Sequence, residues 1–188
     1  MVTVILPGYS IHNKEWLEET AQKIGVDGEI RPIYWKHWTD SESKFDPKEK
    51  ARLLDGVAGK RVVDIVAKSI GTFVAGCIIQ KSPEKIRKVI LNGICLNDLN
   101  EGEKENLKSA LKLISPENII CFQNEEDPHG DFGQAKSFLA GICPDIKVIL
   151  KNRDDHEYPY FEEFREFLIS WETEERITWG NRLVYDIK

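Results

Sequence analysis

The fold is decided by the stretch Val62-Val63-Asp64-Ile65-Val66-Ala67-Lys68-Ser69-Ile70-Gly71-Thr72. It begins as an apolar, β-branched run typical of a buried strand, and a helix-like segment, Thr72–Ile79, follows at once. A strand that turns this sharply into a helix leaves one serine, Ser69, at the corner. The small residues Ala67 and Gly71 keep side-chain bulk out of the turn, and the helix N-terminus favours an anion beside the serine. The pattern therefore predicts a nucleophilic serine, although a serine that only caps a strand–helix turn would look the same.

Apolar strand-like runs alternate with helical patterns along the rest of the chain. The predicted strands are Val2–Leu6, Ile30–Trp35, the run before Ser69, Lys88–Gly93, Asn118–Gln123 and Ile146–Leu150. The predicted helices are Asn13–Ile24, Ala51–Val57, Thr72–Ile79, Leu99–Ile114, Phe132–Ala140 and Tyr160–Trp171. This alternation predicts an α/β protein, a three-layer αβα sandwich around a mostly parallel six-stranded sheet.

The alternation indicates one domain over residues 1–172, with a separate tail at 173–188. Within the tail, the segment Ile177–Tyr185 alternates around Gly180-Asn181, which predicts a β-hairpin with a two-residue turn. Such a hairpin could serve a protein interface, so a homodimer formed through the tail is a further expectation.

Charge and composition limit the classes of partner. The formal net charge is −6 and no basic cluster is interleaved with aromatic residues, so we expect no nucleic-acid partner. No apolar run reaches membrane-spanning length, and the N-terminus lacks the pattern of a signal peptide. The cysteines are widely spaced in or beside apolar segments, at positions 77, 95, 121 and 143. Their placement is typical of reduced, buried thiols and predicts a cytoplasmic protein.

The pattern Ala67-x-Ser69-x-Gly71, between a strand and a helix, resembles the nucleophile elbow of the α/β-hydrolase superfamily, usually written Gly-x-Ser-x-Gly. Polar residues follow the fifth and sixth predicted strands, at Asn124–Pro128 and Asn152–His156. Serine, acid and histidine thus occur in the superfamily's chain order. The resemblance implies a reduced α/β-hydrolase fold with strand order 2-1-3-4-5-6, and an enzyme that needs no cofactor.

The resemblance also implies a role for each candidate residue. Ser69 would be the nucleophile, His156 its general base, and Asp127 the acid that orients the histidine. The oxyanion hole would use the backbone N–H groups of Ile70 and Tyr9.

Alternatives stay open for the charged loops. Asp127 precedes Pro128, so it could instead cap the next helix. His156 could be an exposed loop histidine. The acid could also be Glu125, Glu126 or Asp131. The same loops could form a metal cluster from Asp127, His129, Asp131, Asp154, Asp155 and His156, whose oxygen and nitrogen donors suit a divalent ion.

An aromatic loop at residues 35–38 reaches the same edge of the predicted sheet. Trp35 and Trp38, with Tyr9, are candidates to line an acyl or aryl pocket. In the alternative interpretation, Trp35 belongs to the core and Trp38 covers a surface helix.

The predicted function is that of a serine hydrolase that cleaves a carboxylic ester or thioester of a small molecule through an acyl-enzyme. A peptidase or amidase would use the same three residues. A non-catalytic binding protein is the third alternative, since departures from the superfamily pattern at Pro7, Ala67 and Asp155 would fit a decayed site.

Overall fold

A single six-stranded sheet organises the computed structural model, which describes residues 1–170 apart from the side chains of 53–55, 57 and 58. Its strands are β1 (Val2–Leu6), β2 (Glu29–Pro32), β3 (Val63–Lys68), β4 (Ile86–Asn92), β5 (Ile119–Asn124) and β6 (Lys147–Lys151). They lie in the order β2-β1-β3-β4-β5-β6, and every neighbouring pair is parallel. The predicted fold class and strand order are confirmed, and the carboxyl ends of all six strands meet at one edge.

Helices cover both faces of this sheet. They are α1 (Asn13–Lys23), α2 (Pro47–Ala58), α3 (Ile70–Lys81), α4 (Glu101–Leu111), α5 (Phe132–Ala140) and α6, whose described part covers residues 161–170. Successive strand residues point to opposite faces, so Ala67 and Val66 belong to different apolar clusters. The cluster of Ala67 includes residues of α2 to α5, whereas that of Val66 includes residues of α1 and α6. The result is the predicted three-layer sandwich.

The second strand is shorter than the predicted Ile30–Trp35. It ends at Pro32, and the chain then forms a short 3-10 helix at Lys36–Trp38. Trp35 leaves the sheet edge and is buried, with its indole against the loop that follows β1.

Several helix boundaries also differ from the prediction, and the starts of α2 and α4 differ because of capping residues that periodicity does not detect. Helix α2 begins at Pro47 rather than Ala51, where the Asp46 carboxylate accepts a hydrogen bond from the Lys48 N–H at 2.9 Å. Helix α4 begins at Glu101 rather than Leu99, because a capping box of Asn100 and Glu103 sets its start, and it ends at Leu111 rather than Ile114.

The predicted tail hairpin, and the homodimer assigned to it, lie outside the described residues. Between residues 1 and 170, no helix has the length and apolar character needed to cross a bilayer. All four cysteines are free, and Cys77, Cys95 and Cys121 are buried.

Candidate active site

Ser69 occupies the corner between β3 and α3 in a strained conformation, with φ 56° and ψ −126°. Among the described residues it is the only non-glycine residue with positive φ. Such a conformation costs about 1–3 kcal/mol and persists only where surrounding contacts hold it. Here its N–H donates to the Asn92 carbonyl oxygen at 2.9 Å, and its own carbonyl oxygen accepts from the N–H and hydroxyl of Thr72. The turn holds Ser69 at the wall of a cavity.

The small residues beside Ser69 allow α3 to approach the end of β1. A Cβ atom on Gly71 would overlap the carbonyl oxygen of Leu6 and lie 2.8 Å from that of Pro7. Ala67 is fully buried in β3, so its methyl group is accommodated where the superfamily pattern has glycine. The sharp turn therefore depends on Gly71, and alanine at position 67 is compatible with it.

Asp127 and His156 form a hydrogen-bonded pair at the carboxyl ends of β5 and β6. The His156 Nδ1 atom lies 2.7 Å from Oδ2 of Asp127. The same oxygen accepts a hydrogen bond from the Tyr158 hydroxyl, and Oδ1 accepts one from the His129 backbone N–H at 2.8 Å. Burial alone would raise the pKa of Asp127, but the hydrogen bonds from His156 and Tyr158 outweigh it and hold this pKa below its usual value. Asp127 is therefore ionised at neutral pH.

The other ring nitrogen of His156 is the one available for chemistry. Nε2 is buried and has no hydrogen-bond partner within the described part of the chain. His156 and Ser69 line the same cavity, which has a volume of about 550 Å³. The His156 side chain is 17% exposed, unlike a freely solvated loop histidine. The structure thus brings Ser69, Asp127 and His156 to one region from three different strand ends.

The other acidic residues considered as partners of His156 have different contacts or positions in the structure. Asp131, not Asp127, is the N-cap of α5, and its Oδ1 atom accepts a hydrogen bond from the backbone three residues on at 2.8 Å. The helix-capping interpretation of Asp127 is therefore wrong. Glu125 and Glu126 are exposed and line a separate polar cavity.

The metal cluster considered from the sequence is not present in residues 1–170, where no group of three or more acidic, histidine or cysteine side chains could hold an ion. Asp155 is paired with Arg153, whose Nε lies 2.9 Å from its Oδ1. This hydrogen bond is the main reason that the pKa of Asp155 is lowered. Asp127 is bound to His156 and Tyr158 instead.

A buried asparagine at the end of β5 holds the loop that carries His156. The Asn124 Nδ2 group donates to the carbonyl oxygens of Asp155 at 2.7 Å and Glu157 at 3.0 Å, while its Oδ1 accepts from the Tyr160 hydroxyl at 2.8 Å. Sequence reasoning missed Asn124 and Tyr158 as parts of the site. For Asn124 the signal was its position directly after the predicted strand Asn118–Gln123, whereas nothing local to Tyr158 indicates its contact with Asp127.

Trp35 and Trp38 lie behind the loop that follows β1, and neither is among the residues that line the cavity beside Ser69. Trp35 is 1% exposed, and its Nε1 group donates to the Gly8 carbonyl oxygen at 2.9 Å. The Trp38 Nε1 group donates to the Tyr9 carbonyl oxygen at 2.7 Å. Of the three predicted pocket aromatics, only Tyr9 reaches this cavity, where Phe45 and Pro47 join it.

The lining of the cavity includes both apolar and charged residues. Tyr9, Phe45, Pro47 and Ile70 contribute apolar surface, and Asp98, Glu103 and His129 contribute polar surface. The His129 Nδ1 atom lies 2.6 Å from Oδ2 of Asp98, and its ring centroid lies 4.4 Å from that of His156. Among the described residues that line the cavity, none is a lysine or an arginine.

Comparisons with known proteins show what the fold of this chain is similar to. No family model and no curated protein matches the chain. Among solved structures, an esterase from Exiguobacterium antarcticum is 14% identical, with a TM-score of 0.65 over 91% of each chain. A lid-less α/β serine hydrolase from Xanthomonas campestris is 13% identical, with a TM-score of 0.61 over 90% of this chain and 81% of its own. A monoacylglycerol lipase from Paleococcus ferrophilus is 12% identical, with a TM-score of 0.62 over 90% of this chain and 93% of its own.

These structures share the fold of this chain, which is thus an α/β-hydrolase-like fold with helices on both faces of a parallel sheet. The resemblance inferred from the elbow and the strand order is thus confirmed at the level of the fold.

Proposed function

We propose that this protein is a serine hydrolase that cleaves a carboxylic ester or thioester of a small substrate through an acyl-enzyme. The observation that carries the proposal is the His156–Asp127 pair, 2.7 Å apart, in the cavity that a strained Ser69 also lines. A serine hydroxyl is a weak nucleophile at neutral pH, so it needs a neighbouring base whose orientation is held. The similar hydrolases and esterases support this class of reaction.

In the proposed mechanism, the Ser69 Oγ atom attacks the carbonyl carbon of the substrate while its proton passes to Nε2 of His156. The carbonyl π electrons move to oxygen, and ionised Asp127 stabilises the resulting imidazolium. Collapse of the tetrahedral intermediate breaks the bond to the leaving alcohol or thiol, which takes the proton from His156. Water then attacks the acyl-enzyme by the same steps, and the acid is released.

The oxyanion would be stabilised by backbone N–H groups of Ile70 and Tyr9. Ile70 is the first residue of α3, so its N–H has no acceptor within the helix. Tyr9 belongs to the loop after β1, against which α3 packs through Gly71. Both residues line the cavity. Each preorganised donor of this kind contributes roughly 10²- to 10³-fold to the rate.

Labelling with a fluorophosphonate probe tests the proposal. Wild-type protein is expected to be labelled, while Ser69→Ala removes the nucleophile and His156→Ala removes its base. His12→Ala serves as the matched control, because His12 is an exposed histidine that does not line the cavity, and this variant should be labelled like the wild type. Equal labelling of wild type and Ser69→Ala, or no labelling of folded wild type, would contradict the assignment.

A further inference from the structure

The buried Trp35 side chain binds the backbone of the loop after β1. Its Nε1 group lies 2.9 Å from the carbonyl oxygen of Gly8 and 3.3 Å from that of Pro7. The indole is 1% exposed and packs edge-on against Phe45, with ring centroids 5.3 Å apart. A buried indole N–H that is hydrogen-bonded in this way restrains the peptide group it contacts.

The next peptide of the same loop is held by two more rings. The Tyr9 carbonyl oxygen lies 2.7 Å from Nε1 of Trp38 and 2.8 Å from Nε2 of His37. The His37 ring also stacks on the Tyr9 ring, with centroids 4.5 Å apart and planes inclined by 22°. We call Trp35, His37 and Trp38 the ring clamp.

The clamp determines where the N–H of Tyr9 points. This N–H belongs to the same peptide group as the Gly8 carbonyl, and none of the described peptide bonds is cis. In a planar trans peptide the N–H and C=O point in opposite directions. Because the Gly8 carbonyl is turned towards the buried Trp35, the Tyr9 N–H is turned away from it. Tyr9 lines the cavity and Trp35 does not, so we expect the N–H to face the side where Ser69 lies.

Close packing limits movement of the loop on its other sides. A Cβ atom on Gly8 would lie 2.6 Å from the Asn13 side chain, and one on Gly71 would lie 2.8 Å from the Pro7 carbonyl oxygen. The loop is therefore confined between α1, α3 and the clamp. A donor held in this way needs no reorganisation when charge develops beside it.

We infer that Trp35, His37 and Trp38 are positioning residues that hold the Tyr9 N–H as an oxyanion donor. This inference rests on the proposed function, since an oxyanion forms only if Ser69 attacks a carbonyl group. It gives the tryptophans of the 35–38 segment a part in catalysis that does not involve contact with the substrate.

The test compares an ester with the matching thionoester, in which sulfur replaces the carbonyl oxygen. Sulfur is larger and a weaker hydrogen-bond acceptor, so the N–H donors assist the thionoester much less. Trp35→Phe keeps an aromatic ring but removes the N–H. The ester kcat is expected to fall roughly 10- to 100-fold, as for a displaced catalytic group, with KM little changed. The thionoester rate should fall far less, so the ratio of the two rates contracts.

Trp16→Phe is the matched control, because Trp16 is also a buried tryptophan whose Nε1 donates to a backbone carbonyl, that of Tyr158 at 2.8 Å. Any disturbance there reaches the histidine loop rather than the loop after β1, so both substrates should be affected alike. Trp38→Phe, at a partly exposed position, provides a second clamp variant if Trp35→Phe folds poorly.

A ratio that contracts in the clamp variants but not in Trp16→Phe supports the inference. Equal loss of ester and thionoester activity in the clamp variants would overturn it and leave a purely structural role. An absence of Ser69-dependent ester turnover in the folded wild type would instead overturn the proposed function, and with it the role of the clamp.

Discussion

Replacing Tyr158 with phenylalanine removes one hydroxyl group from beneath the candidate active site. Tyr158 is fully buried, and its hydroxyl donates to Oδ2 of Asp127, the oxygen that also binds His156. The hydroxyl oxygen in turn accepts a hydrogen bond from the backbone N–H of Asn124 at 3.2 Å. The substitution therefore removes a donor from a buried carboxylate and an acceptor from a buried N–H.

The expected loss of stability follows from these two contacts. A hydrogen bond to a charged group contributes about 1.5–3 kcal/mol, and an unsatisfied buried N–H costs about 1 kcal/mol or more. The free energy of unfolding should thus decrease by about 3 kcal/mol. For a chain of 188 residues, each kcal/mol lowers Tm by about 2–4 °C, so Tm should fall by about 6–12 °C.

The substitution should also change how stability depends on pH. The lowered pKa of Asp127 contributes stability that is present above the pKa of the unfolded chain and is lost as pH falls through the folded-state value. Without the Tyr158 hydroxyl the pKa of Asp127 rises towards its unfolded-state value, so the stability lost on acidification should be smaller and the loss should be complete at a higher pH. We also expect kcat for an ester to fall, because the carboxylate that orients His156 is held less firmly.

Thermal and urea unfolding at several pH values measure the effect, with Tyr160→Phe as the matched control. The Tyr160 hydroxyl donates to a neutral amide, Oδ1 of Asn124 at 2.8 Å, so its loss should cost only about 1 kcal/mol. An equal decrease in the free energy of unfolding in the two variants would refute the view that Tyr158 stabilises the ionised Asp127. So would an unchanged dependence of stability on pH in the acid range for Tyr158→Phe.

Two further predictions concern the elbow and the cavity. Gly71→Ala should displace α3 from the Pro7 carbonyl, which should lower the free energy of unfolding by about 1–3 kcal/mol and kcat roughly 100-fold. Gly56→Ala is the control, because the position of its Cβ atom is open space. In urea unfolding this variant should be as stable as the wild type or slightly more stable. Asp98 and Glu103 line the cavity, and none of its described lining residues is a lysine or an arginine, so the cavity should attract a cationic substrate. At low salt, kcat/KM for a choline ester should be about 2- to 5-fold higher than for its neutral 3,3-dimethylbutyl isostere. Asp98→Asn should reduce this preference, and a wild type that favours the neutral ester would contradict it.

The sequence by itself determined the architecture and the position of the serine. Apolar periodicity is a local property, so the six strands, their helices and the parallel sheet followed from it. The corner at Ser69 was predicted because small residues at positions 67 and 71 are needed wherever a strand turns sharply into a helix. Boundaries set by capping side chains, as at Asp46 and Asn100, were predicted less well, because the apolar pattern does not record them.

Only the tertiary structure decided which carboxylate meets the histidine. Glu125, Glu126, Asp127 and Asp131 lie within seven consecutive residues, and their order in the chain does not distinguish them. The folded loop turns Asp127 towards His156, while Asp131 caps α5.

The role of the aromatic loop at residues 35–38 likewise could not be predicted from the sequence. Trp35 and Trp38 were candidates to line a pocket, with a core position for Trp35 as the alternative. Trp35 is indeed buried in the core, and the indole N–H groups of both bind the carbonyls of Gly8 and Tyr9. These contacts join residues that are 27 and 29 positions apart, in the segments that follow β1 and β2, and those two strands become neighbours only when the sheet assembles. A side chain's partner across a sheet depends on strand order and loop conformation together, which no local pattern specifies.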